Sequence, residues 1–580
     1  MQRQLAAGFE RYRGGNLKGA GEIAQQVLMA APRSGDGLHL LGLVALGQGA
    51  LAQAAGAFQK ALEINPGHAA YWSNFGNVLR RMKRGSQALG AYDKAIELDP
   101  RFLSAYLNRG TLYEEAGQGE KALEDFRALM ALAPGQREGY GHAVRLLLAM
   151  RQVEEAVNVN LQALRHLPED PVFLSGAAHG LERLSRLDEA LSYAERALAA
   201  APGSPAVVKI WAFIKRRLGD LDGARQALEA LDFSQVPPGT ARLIHAELGL
   251  IYDRQDVPEK AIMHFEAQNR IAGETSEGKP ERKQTYLDQV SGLRKTFTAP
   301  WVSSWTPVCV PVASPPPVFL VGFPRSGTTL LDQMLDAHSG VQVFEEFPVL
   351  IPVRDQIGAR EGGYPGALAD LEGDDIAQLR TLYFDGMAAL GAQEGKVAIN
   401  KLPLNLIHGG LIARVFPEAK FILALRHPAG SVLSCFMQDF QLNASMANFL
   451  TLKDSVHLYD QVMRLWQAYE ALLPLDAHRV KYEELVDDQE RVLRGTLKFL
   501  GVGWEASVLD HVAHAKERPA IMTPSRTQVM QPLYRRATDR WRAYLPWLEP
   551  FMADLSPHLR YFGYEDHEAS HGRDGEGADA

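Results

Sequence analysis

Residues 318–331 read Val-Phe-Leu-Val-Gly-Phe-Pro-Arg-Ser-Gly-Thr-Thr-Leu-Leu. The apolar start, rich in Val and Phe, predicts a buried strand. Gly322 to Gly327 predicts a tight loop, and Thr328-Thr329 opens an amphipathic helix expected to run to about Leu335. Strand, glycine loop and helix N-terminus together make a cradle for a phosphate-like anion. Backbone N–H groups point at the ligand and the positive end of the helix dipole faces it. The spacing Gly322-x4-Gly327 is that of a P-loop, yet Thr328 stands where such a loop carries Lys. An NTPase needs that Lys on its β- and γ-phosphates, with Mg²⁺ bridging them. Here the strong cation is Arg325, inside the loop. The pattern predicts a nucleotide whose transferred group is not a magnesium-bound γ-phosphate.

Downstream, Val341-Gln-Val-Phe-Glu345-Glu346 predicts a second strand ending in paired carboxylates. A strand next to the anion loop would bring Glu346 to the bound group, because open α/β sheets place ligands at the C-terminal ends of their strands. Glu346 is then a candidate general base for an acceptor hydroxyl, against the plainer reading of a surface acidic pair. Val397-Ala-Ile-Asn400-Lys401 predicts a third strand, with Lys401 placed to reach the same anion. Lys420 to Leu425 predicts a fourth. Arg426 ends it, Pro428 suits the first turn of the following helix, and Ser434 lies in that helix. An Arg fork and a hydroxyl make a second anion site, so the ligand is expected to carry phosphates at two separated positions.

These elements resemble the sulfotransferase superfamily, whose donor is 3′-phosphoadenosine-5′-phosphosulfate (PAPS). The likeness runs from about Val318 to Tyr564 and is greatest to protein-tyrosine sulfotransferases and to bacterial sulfotransferases with tetratricopeptide repeats. Its further anchors are Leu335-Asp-Ala-His338, Asn400-Lys401, Val480-Lys-Tyr482-Glu-Glu-Leu, Ser525-Arg-Thr-Gln-Val-Met-Gln-Pro532 and Arg540-Trp541. The resemblance implies that Arg325, Ser326, Gly327, Thr328 and Thr329 cradle the 5′-phosphosulfate. It implies Arg426 and Ser434 at the 3′-phosphate, Tyr482 at the adenine, and 525–534 with Arg540 over the nucleotide. Glu346 aligns with the catalytic base, and Arg325, Lys401 and Ser525 with groups that stabilise the transferring sulfuryl. A sulfuryl group carries less charge than a phosphoryl group, which accounts for Thr328 in place of Lys. Two positions depart from the protein-tyrosine pattern. Pro348 and Gln438 stand where those enzymes carry Arg, with Arg535 and Arg536 as candidate substitutes for the second.

The first half reads differently. Pro32, Pro66, Pro100, Pro134, Pro168 and Pro202 fall 34 residues apart, and Ala54, Ala88, Ala122, Ala156, Ala190 and Ala224 follow in the same frame. Gly42, Gly76 and Gly110 share it. This is the tetratricopeptide pattern: small residues let paired helices approach, and Pro ends each unit. About eight hairpins over 1–271 are expected to form a solenoid. Residues 272–313 read as a linker, 314–566 as the sulfotransferase domain, and the acidic, Gly-rich 567–580 as a disordered tail. The fold class is thus multidomain: an all-α tetratricopeptide solenoid, then a three-layer α/β P-loop-like domain with a central parallel sheet.

Composition narrows the function classes. With 46% hydrophobic and 22% charged residues the chain is of globular type, and its net charge of −8 argues against general nucleic-acid binding. No apolar run reaches membrane-spanning length, and Met1 to Glu10 reads as helix rather than an apolar leader. Two cysteines, Cys309 and Cys435, make a disulfide framework improbable and a reducing, cytoplasmic compartment the expectation. His511 and His514 lack a third ligand, so no metal is expected. The expected activity is PAPS-dependent transfer to a tyrosine hydroxyl of a protein or peptide presented by the solenoid. A carbohydrate or small-molecule acceptor is the alternative, and a scaffold with a vestigial enzyme half is a third. For the loop alone, a nucleotide kinase is the rival.

Overall fold

In a computed structural model of the chain, which describes residues 1–275, 278–308, 313, 315–510 and 536–564, the 34-residue period becomes helical hairpins. Seven of them run from Gln2–Arg13 with Leu17–Ala30 to Pro205–Arg217 with Leu221–Glu229. The period has a packing cause. A Cβ built at Gly76 would lie 2.6 Å from Tyr92, so a larger residue there would separate the two helices. It also has a backbone cause. The turn inside each hairpin holds a left-handed residue at 15, 49, 83, 117, 151, 185 and 219, which is Lys83, Arg151 and Ser185 in three repeats and Gly in the others.

The frame then breaks. The next left-handed turn residue is Asp256, three positions beyond the period, and helix Leu221–Glu229 is shortened to 9 residues. Here the chain divides into two compact units, Met1–Glu229 and Ala230–Ala580. The eighth hairpin, Pro238–Arg254 with Pro258–Gly273, keeps the repeat packing, since a Cβ at Gly249 would lie 2.7 Å from Phe265. It nevertheless belongs to the second unit. Asn269 Nδ2 donates to Phe436 O at 2.9 Å, and Arg242 pairs with Asp439. The division into compact units thus falls at 229, ahead of residue 271 where the hairpins were expected to end. Within 272–313, the expected linker, lie helices Pro280–Thr296 and Ala299–Ser303. Val290, Leu293 and Phe297 are buried at helical spacing.

The second unit is built on five parallel strands: β1 Val318–Gly322, β2 Val341–Glu345, β3 Val397–Lys401, β4 Lys420–Leu425 and β5 Asp476–Lys481. Their order is β2-β3-β1-β4-β5. All five residues of β1 are buried, as both faces of a parallel sheet are covered by helices. On one face Val318, Leu320 and Ile422 pack with Leu331 and Leu335 of helix Thr328–Asp336 and with Leu493 and Leu497. On the other, Phe319 meets Tyr383 and Phe416, and Phe421 meets Trp466. One expectation fails. β2 is not beside β1: β3 lies between them, pairing Phe319 with Asn400 on one side and Glu345 with Lys401 on the other. No helix among the described residues is long and apolar enough to cross a membrane.

Candidate active site

The sheet brings the C-terminal ends of β1, β3 and β4 to one cavity of 640 Å³ in the second unit. After β1 the chain turns through Arg325 at φ 67° and Gly327 at φ 97° into helix Thr328–Asp336. Gly322 is required by close approach, because a Cβ there would lie 2.5 Å from Ala424 O. At Gly327 the left-handed φ and the Tyr482 ring, 2.7 Å from a built Cβ, both exclude a side chain. Arg325, Gly327, Thr328 and Thr329 line the cavity, together with Arg426, Ser434, Tyr482 and Arg540.

The residues expected to form two anion sites line this one cavity. Arg325 Nε donates to Ser434 Oγ at 3.1 Å, and Arg426 Nη1 donates to Arg325 O at 3.2 Å. Arg426 also donates to Ala537 O, and its guanidinium lies 5.0 Å from the centre of the Tyr482 ring. Behind the loop, Cys435 Sγ donates to Pro324 O at 3.2 Å, and burial pushes its thiol pKa well up.

Glu346 follows β2 in the left-handed region at φ 58°, its N–H donating to Lys401 O at 2.7 Å. Its side chain is 36% exposed and, among the described residues, is the single carboxylate on the cavity wall, facing a lining that holds four arginines. Lys401 is not among the residues that line the cavity. It is 0% exposed, and its ammonium donates to Glu345 Oε1 and Glu346 Oε1, each at 3.2 Å, with Asp332 at 3.9 Å. Lys401 stands behind Glu346 and fixes its carboxylate.

Several wall residues escaped the sequence reading. Leu350, Ile351, Leu402, Leu404 and Ile407 make an apolar flank beside Glu346, and Arg354 adds a cation to it. His408 also lines the wall, hydrogen-bonded through Nδ1 to the Tyr364 hydroxyl at 2.8 Å. Burial, reinforced by the Arg354 charge, pushes its pKa down to about 3 and keeps it neutral. Helix Pro280–Thr296 contributes Tyr286, whose buried hydroxyl has no hydrogen-bond partner among the described residues. Gln438 does not line the cavity; its Nε2 donates to Asp439 O at 3.4 Å. Arg536 opens helix Arg536–Asp539. Ser525, Arg535, His511, His514, Cys309 and the tail 567–580 lie outside the described residues. Among the described residues no group of three His, Cys, Asp or Glu is arranged to hold a metal ion.

Family models match both parts of the chain. The model of the sulfotransferase family matches residues 316–506, and that of the tetratricopeptide repeat matches 5–69, 74–137 and 143–205. An uncharacterized protein of Aquifex aeolicus is 30% identical over 247 residues, which is 41% of this chain and 32% of that protein. Protein-tyrosine sulfotransferase 2 of Gallus gallus is 27% identical over 269 residues, 43% of this chain and 70% of the enzyme. Protein-tyrosine sulfotransferase 1 of Danio rerio is 28% identical over 266 residues, 43% of this chain and 73% of the enzyme. The match thus spans about a third of the Aquifex protein and about seven-tenths of the two animal enzymes. Among solved structures, YrrB, a tetratricopeptide protein with an unusual peptide-binding site, matches at 24% identity and a TM-score of 0.26, over 30% of this chain and 90% of that one. By sequence pattern, fold and family match alike, the chain carries tetratricopeptide repeats and a domain of the sulfotransferase family.

Proposed function

We propose that this protein transfers the sulfuryl group of PAPS to a hydroxyl of a protein or peptide, first of all a tyrosine phenol. The observation that carries the proposal is that, among the described residues, one carboxylate, Glu346, shares the cavity wall with Arg325, Arg354, Arg426 and Arg540. The residues present fit a doubly phosphorylated nucleotide. Ser326 Oγ, Arg426 Nε and Arg540 Nε are buried and have no hydrogen-bond partner among the described residues. Buried donors left so are costly, and anionic oxygens would satisfy them. In this reading the 323–329 loop and the N-terminus of helix Thr328–Asp336 take the sulfate end, with Ser525 as a further donor. Arg426, Ser434 and Arg540 hold the far phosphate, and Tyr482 offers its ring to the base.

PAPS supplies the sulfuryl group: the acceptor O–S bond forms as the bond from sulfur to the bridging phosphate oxygen breaks, releasing adenosine 3′,5′-bisphosphate. Glu346 takes the acceptor proton. A free Glu near pKa 4.3 and a phenol near 10 differ by about 8 kcal/mol at roughly 1.36 kcal/mol per unit, so the proton moves as the O–S bond forms and not before. Lys401 holds the Glu346 carboxylate for that step, and Arg325 meets the charge on the transferring group. The apolar flank of Leu350, Ile351, Leu402, Leu404 and Ile407 supports an aromatic acceptor, because a sugar would bury hydroxyls without partners there. The repeats support a peptide or protein partner, and the low cysteine content supports a reducing, cytoplasmic setting.

Transfer of labelled sulfate from PAPS to a cell lysate, with mapping of the modified residue, tests the acceptor. Sulfate on carbohydrate would replace tyrosine by the second acceptor class. Binding of the bisphosphate with no transfer to anything would leave a scaffold, and Mg²⁺-dependent ATP binding would favour a kinase. Glu346→Ala is expected to lower turnover about 10²- to 10⁴-fold while calorimetry shows nearly unchanged bisphosphate affinity. Turnover like wild type would remove Glu346 as the base.

A further inference from the structure

Helix Pro238–Arg254 lies outside the residues matched by the sulfotransferase model, yet through Asp253 it meets Arg540, a residue of the cavity wall. Asp253, near its end, is 7% exposed. Both of its oxygens are engaged: Oδ1 accepts from the Tyr544 hydroxyl at 2.8 Å, and Oδ2 lies 3.5 Å from Arg540 Nη1. Arg540 lines the large cavity with Arg426 and Ser434, and it also lines a smaller one of 240 Å³ with Asp253 and Asp256. Its guanidinium therefore stands between the two, with Nη1 toward the carboxylate and a buried Nε that has no hydrogen-bond partner among the described residues. A planar guanidinium pinned at one edge has its remaining donors pre-oriented, which a free arginine side chain does not.

Resting on the reading of the large cavity as a PAPS site, we propose that Asp253 is a positioning residue for the nucleotide. It pins Arg540 so that the remaining N–H groups meet a phosphate. The eighth helical hairpin, which precedes the residues matched by the sulfotransferase model, thereby sets nucleotide affinity in this chain.

Two effects of Asp253 have opposite signs, which makes the inference testable. A carboxylate near an anion site repels the anion, so removing its charge alone would tighten binding. Loss of the pin would weaken it. Calorimetric titration of the full chain with adenosine 3′,5′-bisphosphate is expected to show Asp253→Asn weaker by about fivefold to tenfold, with Asp253→Glu recovering much of the loss. Tyr544→Phe keeps the carboxylate but removes one of its hydrogen bonds, and about a twofold loss is expected. In an Arg540→Ala background, Asp253→Asn should cost nothing further, whereas a merely structural role would cost the same as before. Unchanged or tighter binding by Asp253→Asn, or an undiminished loss in the Arg540→Ala background, overturns the proposal. Unchanged affinity of Arg540→Ala alone overturns it too, while leaving the PAPS reading intact. Absence of bisphosphate binding by the wild-type chain overturns both.

Discussion

Arg325 and Glu346 share a backbone property that most non-glycine residues avoid, a left-handed φ of 67° and 58°. Each costs about 1 kcal/mol against an ordinary conformation, so the surroundings must hold it. For Glu346 that hold is Lys401, which accepts its N–H and donates to its carboxylate. The same ammonium also faces Glu345 and Asp332, both buried. Lys401→Met should therefore do more than slow the reaction. It leaves buried carboxylates without their cation, at a cost of about 3–5 kcal/mol. Urea unfolding measures this loss; a stability equal to wild type would show that the pair contributes only geometry. Lys401 shows where spacing stops being informative. Its place at a strand end is legible, but the strand order that turns it inward against two acids is a property of the sheet.

Among elements, the hairpin turns show how firmly a period is written into backbone as well as side chains. Sequence alone revealed the repeats through Pro, Ala and Gly, and it revealed four strands through their apolar runs. It did not reveal β5, whose Asp-Ala-His-Arg-Val-Lys has no apolar run because it is half exposed at the edge of the sheet. The helix Pro280–Thr296 was hidden by flanking polar and Pro-rich stretches, although Val290, Leu293 and Phe297 carry a helical stripe. One element-level property invites measurement. His39, on helix Gly35–Gly47, has its pKa pushed down to about 4 by burial, with the His68 charge adding and Asp36 opposing. The folded state holds this ring neutral while the unfolded chain protonates it near 6.5. Its stabilising effect is complete above about pH 6.5 and is lost as pH falls toward 4, at up to about 1.4 kcal/mol per pH unit. Thermal melts from pH 7.5 to 4.5 should fall less steeply for His39→Gln than for wild type. Equal slopes would show that other groups carry the acid sensitivity.

At the scale of the whole chain, the useful division is between Glu229 and Ala230, not after the eighth hairpin. A cut at 272 removes Asp253, Asn269 and Arg242 from their partners Tyr544, Phe436 and Asp439. Residues 230–580 are expected to bind adenosine 3′,5′-bisphosphate within about twofold of the full chain, as a unit with its own core. Residues 272–580 should bind at least about tenfold more weakly or fail to stay folded, since a packed apolar face is left bare. Equal affinity of the two fragments would make the hairpin dispensable to the nucleotide site.

The thiol of Cys435, closed in behind the anion loop by Pro324, has a consequence for kinetics. In a Cys309→Ser background it becomes the one sulfhydryl of the chain, and, being 0% exposed, it can be labelled only through an opening of its surroundings, of which the loop is one wall. The labelling rate then acts as a clock for that opening. A ligand gripped by the loop should slow it by the factor 1 + [L]/Kd, so that reaction half-times read out site occupancy without any turnover.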